Sequence, residues 1–139
     1  MRFLIGLACT LCLAAAASAQ EPPVFRVGVL NDQSGLYADI AGPGAVEAAR
    51  MAVEDFGPER KGFRVEVLAA DHQNKPDIGA GIARRWFDQD GVDAIVDVPT
   101  SSIALAVSEI AKERNKSLLI TSAGTSDLTG KACTANTVH

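Results

Sequence analysis

The chain has 139 residues, of which 47% are hydrophobic and 22% charged, with a formal net charge of −4. This length suits a single domain with a buried core. The charge balance is mildly acidic and contains no basic cluster, so the sequence lacks the electrostatic pattern of a nucleic-acid-binding protein.

The first residues have the pattern of a secretory signal peptide. Arg2 gives a positive start, residues 3–16 form an uncharged apolar run, and Ala17-Ser18-Ala19 supplies the small residues that a signal peptidase requires. The run is too short to cross a bilayer of about 30 Å, which needs about 20 residues. The sequence therefore predicts a signal peptide at 1–19, cleavage before Gln20, and a secreted chain that is not inserted in the membrane.

The mature chain is predicted to span residues 20–139. Loss of Arg2 moves the net charge from −4 to −5, because the signal contains no acidic residue. Cys9 and Cys12 leave with the signal, so Cys133 is either buried or pairs with a cysteine outside this chain. The end of the chain, residues 137–139, resembles the start of a fifth strand, and the sequence therefore predicts a truncated chain.

Strand and helix patterns alternate along the mature chain. Short β-branched runs predict strands at 24–30, 63–70, 92–98 and 117–121. Helices are predicted from Pro43, from Pro76 and after Ser101 or Ser102, which are both good N-cap residues. The first helix has one apolar face at helical spacing: Ala45, Ala48, Ala49, Ala52, Val53 and Phe56. The parallel sheet is expected to be covered on both faces. Single helices between strands form βαβ units, so the prediction is an α/β fold with three layers and a Rossmann-like parallel sheet.

A binding site is expected beyond the carboxyl ends of the strands, where open parallel sheets bind their ligands. This rule selects residues 32–42, 71–75, 99–102 and 122–126. Two of these segments are rich in hydroxyls and small residues, and one leads into a helix whose N-terminal amides suit a carboxylate. A simple capping role for Ser101 or Ser102 is the alternative. Tyr37 lies in a long loop and either covers a ligand or pins the loop to the domain.

Catalytic and cofactor chemistry is not supported by the residues present. Gly42-Pro43-Gly44 begins like a dinucleotide-binding motif, but its sixth position is Glu47 and the turn is too long. His72 and His139 are the only histidines, which is too few for a metal cluster, and His72 falls in a polar loop that is expected to be solvated. The sequence therefore predicts a non-enzymatic binding protein without cofactor or metal.

Four blocks of sequence carry a family resemblance. They are VGVLNDQSGLYADIAGPGAVEAARMAVEDFG at 27–57, FRVEVLAADHQNKP at 63–76, DVPTSSIALAVSEIA at 97–111 and LLITSAGTSDLTG at 118–130. Their order and spacing after a signal peptide resemble the leucine/isoleucine/valine-binding family of periplasmic receptors, over nearly all of the mature chain.

The resemblance implies a fold, a function and a set of site residues. Such receptors have two Rossmann-like lobes, the type 1 periplasmic binding fold, and this chain is similar to most of the first lobe. The implied function is the substrate-binding component of an ABC importer, which binds a branched-chain amino acid or similar small carboxylate or amide and delivers it to the membrane permease. The implied ligand-binding residues are Thr100, Ser101 and Ser102 in one loop, Ser122, Ala123, Gly124 and Thr125 in a second, and Gln33, Ser34 and Tyr37 at the edge of the cleft.

Other functions remain open at this point. Pro99 stands where typical amino-acid receptors have one of two disulfide-bonded cysteines, which leaves the exact ligand open. The same lobes also occur as extracytoplasmic sensing domains of signalling receptors, and a secreted enzyme or a nonfunctional fragment of a transport receptor are further alternatives. A single lobe offers only half of a site, so weak or absent binding is expected for this chain alone.

Overall fold

The structure is a computed structural model that describes residues 21–139, so the predicted signal peptide lies outside the described residues. Strands and α-helices alternate, as the sequence predicts. The strands are β1 (Val24–Asn31), β2 (Arg64–Asp71), β3 (Ala94–Asp97), β4 (Ser117–Ile120) and β5 (Thr137–Val138). The α-helices are α1 (Ala38–Ala41), α2 (Pro43–Phe56), α3 (Pro76–Asp88) and α4 (Ser101–Glu113), with short 3-10 turns at Pro58–Lys61 and Ser126–Thr129.

The strands form one five-stranded sheet in the order β2-β1-β3-β4-β5, and every neighbouring pair is parallel. The predicted α/β class with a Rossmann-like parallel sheet is confirmed. The strand order reverses between β1 and β3, because β2 lies on one side of β1 and the later strands lie on the other. Such a reversal opens a crevice at the carboxyl ends of the two central strands.

The core lies between the sheet and helices α3 and α4. Leu30, Ile95 and Leu118 from three neighbouring strands are fully buried there, against Trp86 of α3 and Ile103 of α4. β1 carries Gly28 at the point where the indole packs, and an added Cβ would come within 2.5 Å of the Trp86 Cε3. Glycine is therefore required at this position because the indole occupies the space of a side chain.

The opposite face of the sheet is only partly covered, which corrects one expectation. α2 lies over this face beside β1 and β2, but Val46 is its only buried residue. Three residues of its predicted apolar face, Ala48, Ala52 and Phe56, are exposed, so α2 does not cover the sheet as expected. An apolar groove of about 490 Å³ remains between α2 and the sheet, and it is lined by Phe25, Val27, Ala52, Val53, Phe56, Phe63 and Val65.

Two further details distinguish the structure from the prediction. β3 ends at Asp97, earlier than predicted, because Asp97 and Val98 have left-handed backbone with φ of 79° and 51°. Cys133 is exposed and pairs with no other cysteine of the described residues. No helix within residues 21–139 is long and apolar enough to cross a membrane.

Candidate ligand-binding site

A cleft of about 750 Å³ opens at the carboxyl edge of the sheet, where the strand order reverses between β1 and β3. Its volume falls within the range of small-molecule sites, roughly 300–1,000 Å³. The loop after β1, the start of α4 and the loop after β4 supply its lining: Tyr37, Ile40, Ala41, Pro99, Thr100, Ser101, Ser102, Ser122 and Gly124. Six of the ten predicted site residues therefore line one cleft, and Ile40 and Ala41 are lining residues that the prediction did not name.

The loop after β1 is held in place by the buried carboxylate of Asp32. Its two oxygens accept hydrogen bonds from the backbone amides of Gly35, at 2.8 Å, and Tyr37, at 2.9 Å. An added Cβ at Gly35 would lie 2.6 Å from Asp32 Oδ1, so the carboxylate can approach only a glycine. This turn starts α1 and brings Tyr37 and Ile40 to the cleft.

The start of α4 presents unoccupied amides to the cleft. Thr100 is the N-cap residue, and within the described chain no side chain caps this helix. The prediction that Ser101 or Ser102 is the N-cap is wrong, because these residues are the first two of the helix. The Thr100 carbonyl accepts from the amides of Ile103 and Ala104, at 3.0 and 2.8 Å. The positive end of the helix dipole and the serine hydroxyls therefore meet at the cleft.

The loop after β4 contributes only some of its predicted residues. Ser122 and Gly124 line the cleft, whereas Ala123 is 4% exposed and its carbonyl oxygen lies 2.6 Å from His139 Nε2. Thr125 Oγ1 accepts from the Asp127 amide at 3.2 Å and caps the short turn that follows. Ala123 and Thr125 are thus placed behind the lining of the cleft.

Gln33 and Ser34 also lie outside the lining, because both contact Asp71 at the end of β2. The Asp71 carboxylate accepts from the Gln33 amide at 3.0 Å, the Ser34 hydroxyl at 2.5 Å and the Gln73 amide at 2.7 Å. Burial acts to raise the pKa of Asp71, but these hydrogen bonds and nearby His72 lower it below its ordinary value. Asp71 therefore ties the loop after β1 to the loop after β2.

A cluster of polar side chains that was not predicted from the sequence supports the cleft from below. Asn31 Nδ2 donates to the Gly42 carbonyl at 2.9 Å and to Asp97 Oδ2 at 3.0 Å. The Thr121 hydroxyl donates to Asp97 Oδ1 at 2.6 Å. These bonds join the carboxyl ends of β1, β3 and β4, so they fix the loops that carry the lining residues relative to one another.

His72 is fully buried, which corrects the expectation of a solvated loop histidine. Burial lowers its pKa below the ordinary value, although Asp32, Asp71 and Asp97 act in the opposite direction. Its Nδ1 accepts a hydrogen bond from the Asn74 amide at 3.0 Å, which is the role of a neutral imidazole. His72 therefore stabilises the turn after β2.

The cleft offers neutral donors together with an apolar surface. Among its lining residues there is no charged side chain, and the apolar Ile40, Ala41 and Pro99 line it together with the hydroxyl residues. Within residues 21–139, no group of three or more His, Cys, Asp or Glu side chains is placed to hold a metal ion. Such a lining can hold a small polar solute, and it provides no base next to a nucleophile.

Comparisons with known proteins agree on one family. The sequence profile described as "Periplasmic binding protein" matches residues 24–139. A crystal structure of a periplasmic binding protein from Burkholderia mallei is 46% identical over 84% of this chain and 31% of that chain, with a TM-score of 0.80. A branched-chain amino acid ABC transporter periplasmic ligand-binding protein from Burkholderia xenovorans LB400 is 44% identical over 81% of this chain and 30% of that chain, with a TM-score of 0.77.

More distant structures share the fold. A solute-binding protein of an ABC transporter from Rhodopseudomonas palustris BisB5, in complex with 3,4-dihydroxybenzoic acid, is 23% identical over 83% of this chain and 31% of that chain, with a TM-score of 0.73. Comparison with curated proteins finds no match.

This chain spans about a third of the length of the solved structures that it matches. The profile match covers nearly all of the described residues, including the segments that form the cleft. Membership of this family implies a location outside the cytoplasm and a role in binding, not catalysis. The chain belongs to the periplasmic binding protein family, which comprises the solute-binding proteins of ABC transporters.

Proposed function

We propose that residues 20–139 form the first lobe of a periplasmic receptor that binds a branched-chain amino acid, or a similar small carboxylate, for the permease of an ABC importer. Residues 1–19 act as the signal peptide in this proposal. The observation that carries it is the start of α4, where uncapped amides and the hydroxyls of Ser101 and Ser102 meet a cleft without charged side chains.

This lining suits a carboxylate because it supplies donors without a buried countercharge. A hydrogen bond to a charged group contributes about 1.5–3 kcal/mol, roughly twice the value for neutral partners. The positive end of the α4 dipole adds to this attraction. Ser122 and Gly124 face α4 across the cleft and offer further hydrogen-bonding groups to the same solute.

An aliphatic side chain fits the rest of the cleft. Ile40 lines the cleft and is 81% exposed, so it would bury apolar surface when a solute or a second lobe covers it. Burial of apolar surface contributes about 25 cal/mol per Å². The relative from Burkholderia xenovorans, which is named for branched-chain amino acids, supports this choice of solute.

The proposal includes weak binding by this chain alone. The cleft is open to solvent on one side, and the relatives are about three times as long. Hinge closure of a second lobe would bury the solute and add contacts. We expect dissociation constants in the millimolar range for residues 20–139, which corresponds to about 4 kcal/mol.

Nuclear magnetic resonance titration of residues 20–139 would test the site. L-leucine should shift the amide signals of Ser101, Ser102, Ser122 and Gly124, and L-leucinamide, which lacks the carboxylate, should shift them much less. Ser101→Ala should weaken the response. Ser117→Ala is the matched control, because Ser117 is exposed at the opposite end of β4.

Two results would contradict the proposal. Equal responses to leucine and leucinamide would show that the carboxylate is not recognised at α4. Micromolar binding to this chain would show that the site does not need a second lobe.

A further inference from the structure

We propose that Asn74 is a positioning residue of the binding site, which holds the side chain of Thr100 in place although Asn74 does not itself line the cleft. This inference rests on the proposed function, because Thr100 matters to a ligand only if the cleft is a binding site. It assigns a role to the loop between β2 and α3, whose side chains are absent from the lining.

The contact between the two residues is a side-chain hydrogen bond across the cleft wall. Thr100 Oγ1 donates to Asn74 Oδ1 at 2.9 Å, although the residues are 26 positions apart. Thr100 would otherwise cap α4 with this hydroxyl, as threonine usually does at an N-cap. Because the hydroxyl is held by Asn74 instead, the α4 amides stay open toward the cleft.

Asn74 is itself fixed by its backbone. Gln73 and Asn74 both have left-handed φ, at 51° and 55°, a conformation that asparagine adopts more readily than most residues. The Asn74 amide donates to Nδ1 of the buried His72 at 3.0 Å, and the Lys75 amide donates to the His72 carbonyl at 2.8 Å. A turn held in this way keeps the Asn74 side chain in one place.

The consequence concerns the rotamer of Thr100. A threonine side chain has three staggered positions about χ1. Among the described residues, the bond to Asn74 is the only hydrogen bond of the Thr100 hydroxyl, so this bond selects one of the three positions. The asparagine amide has both an oxygen acceptor and a nitrogen donor. When the hydroxyl hydrogen turns toward a bound carboxylate, rotation of the Asn74 amide lets Nδ2 donate to Oγ1 and keep it in place.

Asn74→Gly removes the amide while keeping a residue that tolerates left-handed backbone. Gln73→Gly is the matched control, because Gln73 has the same backbone conformation and an exposed side chain. In the ligand-free full chain, three-bond couplings of the Thr100 methyl carbon should report one χ1 rotamer for the wild type and for Gln73→Gly, and rotamer averaging for Asn74→Gly. Asn74→Asp keeps an acceptor oxygen and should show the single rotamer. It also provides a test if the glycine variant does not fold, because averaged couplings in Asn74→Asp would contradict the proposal.

A double-mutant cycle then connects the rotamer to binding. L-leucine titrations should show an affinity about 3–10-fold lower for Asn74→Gly, the range expected for one hydrogen bond. The same substitution in a Thr100→Val background should change the affinity less than about twofold, since Asn74 then has no hydroxyl to hold.

Unchanged Thr100 couplings in Asn74→Gly, averaged couplings in Asn74→Asp, or an equal loss of affinity in the Thr100→Val background would each overturn the proposal. If the wild-type chain gives no response to leucine, the proposed function fails for that solute, while the couplings still decide whether Asn74 positions Thr100.

Discussion

The close approach of α3 to α4 provides a test of the packing that supports the cleft. Gly79 and Gly81 lie two residues apart in α3, but their surroundings differ. A Cβ added at Gly79 would lie 2.5 Å from Ile103 Cγ2 and 3.5 Å from His72 Cβ, whereas a Cβ at Gly81 would meet nothing within 4 Å. We predict that Gly79→Ala destabilises the protein and that Gly81→Ala stabilises it.

The magnitude follows from two opposing terms. Replacing glycine by alanine inside a helix gains about 1 kcal/mol at either position. Ile103 is fully buried in α4 and would have to shift within the core, so Gly79→Ala also carries an overpacking cost of about 1–3 kcal/mol. The helix term cancels between the two variants, and their free energies of unfolding should differ by about 1–3 kcal/mol.

Denaturant unfolding followed by circular dichroism is the appropriate assay, with equal m-values as the check that both variants unfold alike. In thermal unfolding the same difference corresponds to a gap of about 4–12 °C for a domain of this size. A Gly79→Ala protein as stable as Gly81→Ala would refute the reasoning, because it would show that α3 and α4 can separate without cost.

Three further predictions concern the loops and the core. The lowered pKa of Asp71 adds stability that is present above its ordinary value of 3.8 and is lost as the pH falls through the lower folded-state value. Asp71→Asn should therefore be less stable than the wild type at pH 7, and acid titrations of unfolding should show this difference shrinking. Because the pKa of His72 is lowered in the folded state, the unfolded chain takes up a proton first as the pH falls. The free energy of unfolding should therefore decrease as the pH drops through 6.5, by at most about 1.4 kcal/mol per pH unit, and His72→Gln should remove this dependence. Gly28→Ala should displace the Trp86 indole at a cost of about 1–3 kcal/mol, and the fluorescence of this single tryptophan should shift to longer wavelength; an unchanged spectrum would contradict the packing.

The order of strands and helices could be predicted because its signals are local. β-branched runs and prolines at helix starts lie within a few residues of the elements that they specify, and β1, α2 and α3 begin at the predicted residues. The end of β3 could not be predicted in this way. It depends on the left-handed backbone of Asp97 and Val98. Asn31 and Thr121 donate hydrogen bonds to the Asp97 carboxylate, and the Val98 amide donates to the Leu30 carbonyl.

The incomplete burial of α2 could not be predicted for a related reason. The helical period of its alanines correctly identifies one apolar side, but it does not indicate whether another element covers that side. Ala48, Ala52 and Phe56 carry the apolar pattern and remain exposed.

The site was predictable where chemistry and topology coincide. Small hydroxyl residues directly after strands predict the lining at Thr100, Ser101 and Ser122, since the carboxyl ends of parallel strands share one edge. The contacts that hold the lining were not predictable. Asn31 and Asp97 are 66 residues apart, and Asn74 and Thr100 are 26 apart, so neither residue of a pair indicates its partner from sequence alone.

The partly bare sheet face has a consequence for the thermodynamics of unfolding. Phe25 and Phe56 are already 44% and 52% exposed in the native state. Unfolding therefore exposes less additional apolar surface at these residues than at core residues. A domain of about 120 residues normally has a heat-capacity increment of about 1.4–1.8 kcal/mol/K. Calorimetry of this chain should give a smaller increment and, with it, a flatter dependence of stability on temperature.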